Sequence, residues 1–169
     1  FAALIAVLGL APKVMLASGV PITAQSMGIM LCGTVLGAKR GALAVLLFIT
    51  LTALGLPLLS GGRGGLGVFA SPSVGFIIGF PLAAFVAGWI ASKLKLFNVF
   101  YSSFLGAVIG GILILYIPGI LGMSIMLDKS ISEAALIALI YLPGDCIKSF
   151  LCAILTYTLF KLRPENVLS

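Results

Sequence analysis

Two ionisable residues, Asp145 and Lys148, lie inside a long apolar segment near the C-terminal end of the sequence. Each charge at the centre of a membrane helix costs on the order of 3 kcal/mol, so such residues usually mark a substrate site. Their spacing places both on one helical face, which Tyr141 shares, and Pro143 with Gly144 should loosen the helix there. The pattern predicts a polar stripe that binds a solute inside a helical bundle. An ion pair that only fixes helix packing is the alternative.

Two further segments carry polar groups that suit a small ligand. Gln25, within the segment 23–26, offers a donor and an acceptor to an amide-like or urea-like group. Gln also ties helices together, and Ser or Thr also caps them. Arg63 is the single charged residue of the glycine-rich segment 61–67, which we expect to be a mobile lid near an anionic ligand or a flexible connector. No Gly-Lys-Ser/Thr follows this segment, so nucleotide binding is not expected.

The residue types give little support to catalysis. The sequence has four acidic residues and no His, and its three Cys lie in apolar segments without metal-ligand spacing. We therefore expect a protein that is not an enzyme and carries no metal or cofactor. A membrane-embedded solute binder is favoured over a self-contained channel or carrier and over a membrane enzyme on a lipid-like substrate. The sequence shows neither coupling-ion ligands nor a polar cluster with a base.

Membrane helices are the elements that must position these residues. Hydrophobic residues make up 62% of the 169-residue chain, charged residues 8%, and the mean hydropathy is +1.31, far from the values of soluble domains. A spanning helix takes about 20 residues, which leaves room for about six. We expect an all-α integral membrane protein, a single transmembrane domain over residues 1–169 built as a six-helix bundle. The predicted spans are residues 1–11, 23–37, 41–59, 74–92, 98–122 and 132–160.

The positions of the basic residues indicate how the protein is oriented in the membrane. The net charge is +6, and most basic residues lie at the ends of apolar segments. Six of them fall on one side of the predicted bundle: Lys39, Arg40, Lys93, Lys95, Lys161 and Arg163. Three fall on the other side: Lys13, Arg63 and Lys129. The side with more positive charge is expected in the cytoplasm. Both termini are then cytoplasmic, and the connections that contain Pro21, Arg63 and Asp128 face outward.

Several ordered motifs carry a family resemblance. They are the segments 20–26 (VPITAQS), 36–42 (LGAKRGA), 55–57 (GLP) with the glycine-rich loop after it, 79–81 (GFP), and 141–145 (YLPGD) with Lys148. Together they resemble the BioY family, the biotin-binding S components of energy-coupling factor (ECF) transporters. The resemblance implies a six-helix subunit that captures biotin from outside, topples within the bilayer, and works with a transmembrane coupling subunit and two ATPase subunits. It also implies that the alanine face of the first helix, Ala2 and Ala6, docks on the coupling subunit.

Biotin, the ligand that the resemblance implies, suits the polar residues described above, since it combines a urea-like head, an apolar ring and chain, and a carboxylate. Asp145 would accept hydrogen bonds from the ureido N–H groups, and Lys148 would neutralise Asp145 or meet a ligand oxygen. Arg63 or the amides of the glycine-rich loop would hold the carboxylate, although which end of biotin each residue meets stays open. The other expected pocket residues are Gln25, Phe69 and Tyr141.

The sequence thus predicts a multi-pass subunit of the plasma membrane that binds biotin, uses no cofactor and has no nucleic-acid partner. Its expected partners are biotin, the coupling and ATPase subunits of an ECF module, and the lipid bilayer. An S component for a different vitamin is the first alternative, because the same fold would differ only in its pocket. A self-contained small solute carrier is the second.

Overall fold

The computed structural model of the protein describes residues 1–12, 14–15, 18–94 and 98–167, so Lys13 and Lys95 of the orientation count lie outside the described residues. The described chain is almost entirely helical, with one short antiparallel ribbon. Its elements are α1 (Ala2–Leu8), β1 (Val14–Met15), β2 (Pro21–Ile22), α2 (Gln25–Leu36), α3 (Ala38–Ala53), α4 (Val74–Leu94), α5 (Val99–Val108), a π-helical turn (Ile109–Ile114), α6 (Leu115–Leu127), α7 (Ile131–Ala138) and α8 (Leu142–Leu162). Three 3₁₀ turns cover Leu66–Ala70, Leu139–Tyr141 and Pro164–Asn166.

Three continuous helical segments among the described residues are long and apolar enough to cross a bilayer: Val74–Leu94, Val99–Leu127 and Ile131–Leu162. A shorter apolar helix covers Gln25–Leu36. The all-helical, membrane-embedded class predicted from composition is therefore confirmed. The count of six spans and the cytoplasmic termini stay predictions.

The third predicted span, residues 41–59, differs from the helix that forms. Helix α3 begins earlier, at Ala38, and ends at Ala53. Gly55 has a φ of 108°, which a right-handed helix does not allow, and Pro57 follows two residues later without an N–H group to continue the ladder. The apolar residues after Ala53 therefore belong to a connection rather than to a helix.

Helix α4 lies at the centre of the bundle and packs against α2, α3, α5 and α6. Small residues allow these close contacts: a Cβ atom added at Gly75 would overlap the Pro118 carbonyl of α6, and one at Gly33 of α2 would overlap the Ala84 carbonyl of α4. Glycines at helix crossings let membrane helices approach closely. The glycines at these crossings thus decide how the helices are rotated against one another.

Three connections meet at one end of the bundle, which we call the hairpin end. They are the β1–β2 hairpin, the loop 54–73 and the short turn at Asp128 between α6 and α7. Val20 of the hairpin packs against Met123 of α6 and Ala134 of α7 in one buried cluster. The glycine-rich segment is a folded turn rather than an open connector, because Leu59 and Arg63 pair through both backbone amides. These connections cover the site described next.

Candidate functional site

An ion pair between Asp145 and Lys148 lies in the first two turns of α8. The Lys148 Nζ is 2.9 Å from the Asp145 Oδ1, and the two side chains are 16% and 8% exposed for Lys148 and Asp145 respectively. Ser26 of α2 joins the pair: its hydroxyl accepts a hydrogen bond from Lys148 at 3.0 Å and donates one to the Asp145 Oδ1 at 3.3 Å. The predicted polar stripe therefore exists, and it is tied to a second helix.

The second carboxylate oxygen of Asp145 has a different partner. The Tyr116 hydroxyl of α6 donates a hydrogen bond to the Asp145 Oδ2 at 2.8 Å. A carboxylate offers about four acceptor positions, two on each oxygen. Among the described residues, Lys148 and Ser26 occupy both positions of Oδ1, and Tyr116 occupies one of Oδ2. One acceptor position on Oδ2 and one Lys148 N–H therefore stay available to a ligand.

A cavity opens beside this cluster at the hairpin end. The space between its walls, with the open mouth included, is about 610 Å³. Apolar walls come from α4 and α6, while Asp145, Lys148 and Ser26 contribute polar groups. Hairpin residues Val20, Pro21 and Ile22 also line it. The apolar wall residues are Phe76, Ile77, Phe80 and Leu115.

Arg63 supplies a second charge to the same cavity. Its Nε donates to the Ser60 carbonyl at 3.3 Å and its Nη1 to the Ser73 hydroxyl at 3.5 Å. Burial lowers the pKa of the Arg63 guanidinium, because desolvation disfavours the charged form, although an arginine in a protein stays protonated. No carboxylate in the described part of the chain forms an ion pair with Arg63. It is a cation available to an anionic group.

Gln25 borders the cavity, but its amide group is already engaged by the protein. Its Nε2 donates to the carbonyls of Ile5 at 3.2 Å and Leu58 at 2.9 Å, and its Oε1 accepts from the Ser60 amide at 2.9 Å. The side chain is only 3% exposed. Of the two roles that the sequence left open, the geometry supports the tie between segments over the contact with a ligand.

Tyr141 and Phe69 differ in their relation to the cavity. Tyr141 lines it and donates to the Val20 carbonyl at 3.0 Å, while its oxygen lies 2.8 Å from the Ser18 hydroxyl. These bonds hold the hairpin against the bundle. Phe69, predicted as a pocket residue, instead packs against the apolar core, because the 3₁₀ turn Leu66–Ala70 directs it there. It is not among the cavity-lining residues.

Ala2 and Ala6, the predicted docking residues, are partly buried on α1. One side of each packs against the core cluster that contains Ile5 and Phe48. The exposed residues of α1 are Ala3, Leu4 and Val7. The docking role of the two alanines stays a prediction.

Three functional neighbours were not chosen from the sequence: Ser26, Phe76 and Tyr116. Ser26 stood within the polar segment 23–26 next to the chosen Gln25. Tyr116 had a usable signal, since a tyrosine inside a long apolar span needs a partner for its hydroxyl. Phe76 could not be identified from the sequence, because the sequence does not distinguish an apolar residue that lines a cavity from one that faces lipid.

Comparison with known proteins gives concordant matches. The model of the BioY family matches residues 1–165. The biotin transporter BioY of Rhodobacter capsulatus is 46% identical over 178 residues, covering 100% of this chain and 94% of that protein. The probable biotin transporter BioY of Bacillus subtilis is 42% identical over 156 residues, covering 92% and 83%. The crystal structure of the S-component for biotin from an ECF-type ABC transporter matches with a TM-score of 0.89 at 30% identity, covering 99% of this chain and 88% of that chain.

Proposed function

The chain belongs to the BioY family, and from this premise we propose that it is the biotin-binding S component of an ECF-type ABC transporter. It is a multi-pass protein of the cell membrane that takes up biotin. We further propose that it binds without catalysis and needs no cofactor. The observation that carries the proposal is a single cavity that combines an Asp145–Lys148 pair, apolar walls and Arg63, which has no carboxylate partner among the described residues. These are the three features that biotin requires of a site.

The Asp145–Lys148 pair suits the ureido head of biotin. The remaining acceptor position on the Asp145 Oδ2 and the remaining N–H of Lys148 belong to neighbouring groups. An adjacent acceptor and donor match one N–H and the C=O of a cyclic urea. Since buried polar groups without partners are costly, a ligand that lacks this edge is rejected. We therefore expect Asp145 and Lys148 to recognise the ureido head of the ligand through hydrogen bonds.

Arg63 suits the carboxylate at the other end of the ligand. It lies in the loop 54–73 rather than on α8. Within the described part of the chain its guanidinium makes long contacts, 3.3 and 3.5 Å, to Ser60 and Ser73. A guanidinium binds carboxylates through paired N–H donors. Phe76 and Phe80 would then contact the thiophane ring and the chain between the two polar groups. Tyr141 lines the same space, and Gln25 supports it from behind.

Transport would use partner subunits. The sequence contains no nucleotide-binding motif, so we propose that two ATPase subunits and a transmembrane coupling subunit drive uptake, with Ala2 and Ala6 of α1 at the coupling interface. We also propose six spans with cytoplasmic termini. The meeting of three alternate connections at the hairpin end supports this topology, as does the excess of basic residues in the other connections.

Calorimetric titration of biotin into the detergent-purified protein tests the proposal, with thiamine and riboflavin as controls. We expect tight binding of biotin alone, and loss of that binding in both Asp145→Asn and Lys148→Ala. Absence of biotin binding by correctly folded protein would overturn the specificity, and binding of another vitamin would identify a different S component. Uptake of labelled biotin into proteoliposomes without ATPases at a rate that equals the energised rate would instead favour a self-contained carrier.

A further inference from the structure

We propose that Tyr116 is the positioning residue for Asp145, and that the π-helical turn Ile109–Ile114 is what directs Tyr116 towards the site. This inference rests on the proposed function, because it concerns recognition of the ligand head. Tyr116 is not among the residues that line the cavity. It acts on the ligand through Asp145 alone.

The Tyr116 ring has a defined position behind the carboxylate. Its hydroxyl lies 2.8 Å from the Asp145 Oδ2, and its ring meets that of Phe76 edge to face, with centroids 6.1 Å apart at 85°. Phe76 makes a second edge contact to Tyr141, at 6.2 Å. Phe76 therefore packs against two tyrosines, and the hydroxyls of these tyrosines bond to different parts of the protein. The Tyr116 hydroxyl donates to the Asp145 carboxylate, and the Tyr141 hydroxyl donates to the Val20 carbonyl of the hairpin.

The π-helical turn decides which residue of α6 reaches Asp145. A π turn accommodates one more residue than an α-helical turn, which rotates the helix after it by about 100°. Pro118 favours the irregularity, because it has no N–H to offer the Ile114 carbonyl at the end of the turn. In an uninterrupted α-helix, Tyr116 would point away from α8. Single π turns occur frequently at functional sites.

The hydrogen bonds to both oxygens fix the plane of the Asp145 carboxylate. Lys148 and Ser26 hold Oδ1, and Tyr116 holds Oδ2, so rotation of the carboxylate would break at least one bond. Its one remaining acceptor position on Oδ2 then points in a defined direction before the ligand arrives. Preorganised groups bind more tightly because they lose less freedom on binding. Without the Tyr116 hydroxyl, Asp145 can turn, and Oδ2 offers two competing acceptor positions.

Tyr116→Phe tests the inference, with Tyr101→Phe as the matched control because Tyr101 is 65% exposed and is not a cavity-lining residue. We expect the biotin affinity of Tyr116→Phe to fall by about 10- to 150-fold, the range for one hydrogen bond to a charged group. The midpoint of thermal unfolding without ligand should change little, because the ring contacts are kept. Tyr101→Phe should match the wild type in both measurements.

The opposite pattern would overturn the inference: unfolding at a lower temperature with unchanged biotin affinity of the folded fraction would assign Tyr116 a purely structural role. Deletion of Leu113, a 59% exposed residue of the π turn, removes the additional residue. A regular helix should then form with Tyr116 still directed towards Asp145, so the biotin affinity should be retained. Loss of affinity in a folded deletion variant would contradict the role of the turn. If the wild type itself fails to bind biotin, the proposed function fails instead.

Discussion

The Ser26 hydroxyl of α2 lies 3.0 Å from the Lys148 Nζ of α8, although 122 residues separate them in the chain. This bond ties the ion pair of one helix to the start of another. Ser26 also donates to Asp145, so one small side chain orders both charged groups. The ion pair is therefore a preorganised feature of the cavity, with part of its bonding capacity left for a ligand.

Asp145→Asn should reduce biotin affinity by about 30-fold or more, because loss of one partner of a buried charge pair typically costs about 2–5 kcal/mol. The measurement is calorimetric titration. Asp128→Asn is the matched control, since Asp128 lies in the exposed turn between α6 and α7 with a φ of 50°, which Asn tolerates. Unchanged affinity in Asp145→Asn would remove Asp145 from the ligand site.

Arg63→Gln should weaken binding of biotin by about 10-fold or more and leave binding of biotinamide unchanged. The reason is that biotinamide has no carboxylate for the guanidinium to pair with. Titration of both ligands into the wild type and the variant gives the comparison. An equal loss for the two ligands would mean that Arg63 supports the loop through Ser60 and Ser73 rather than binding the carboxylate.

Gln25→Leu should destabilise the protein more than it alters recognition. It leaves the Leu58 carbonyl and the Ser60 amide without their partner, and each such buried group costs about 1–3 kcal/mol. The Ile5 carbonyl keeps its bond from the Gly9 amide. Thermal unfolding in detergent should show the loss, while the folded fraction keeps most of its biotin affinity. Thr158→Val is the control, because Thr158 bonds only within its own helix. A stable variant that no longer binds would restore Gln25 as a ligand contact.

Gly75→Ala should destabilise the bundle by about 1–3 kcal/mol, the usual cost of overpacking, because the added Cβ would overlap the Pro118 carbonyl of α6. Gly144→Ala is a matched control in α8, where a Cβ would meet nothing within 4 Å. That control should be neutral or slightly stabilising, since alanine favours a helix. Thermal unfolding of the two variants measures the difference. Equal midpoints would contradict the close approach of α4 and α6.

Ser18→Ala should speed the dissociation of biotin by about 3- to 10-fold, the equivalent of one modest hydrogen bond. Ser18 lies 2.8 Å from the Tyr141 hydroxyl, which together with the Val20 carbonyl holds the hairpin over the cavity. Dissociation of labelled biotin after dilution gives the rate. Ser132→Ala, at an exposed serine of α7, is expected to leave the rate unchanged. An unaltered rate in Ser18→Ala would mean that this bond does not hold the ligand in.

Most of the residues chosen from the sequence converge in the structure. Asp145, Lys148, Arg63 and Tyr141 line one cavity. Charge inside an apolar segment indicated Asp145 and Lys148, the shared helical face indicated Tyr141, and the glycine-rich segment indicated Arg63. Phe69 packs against the core instead of lining this cavity, a difference that its place after a glycine-rich loop could not indicate, and its contact with a ligand stays a prediction. The end of α3 was misjudged because an apolar connection has the composition of a span.

The sequence by itself determined that the chain lies in a lipid bilayer, that it is helical, and that it contains a buried polar site. These follow from local rules: apolar length, the cost of charge in a bilayer, and the spacing of residues along one helix. The tertiary structure alone decided that Tyr116 and Ser26 share Asp145, and that Gln25 serves the backbone of Ile5, Leu58 and Ser60. Such partnerships depend on how each helix is rotated, and that rotation is set by glycine contacts and a π turn, which act between segments distant in the chain.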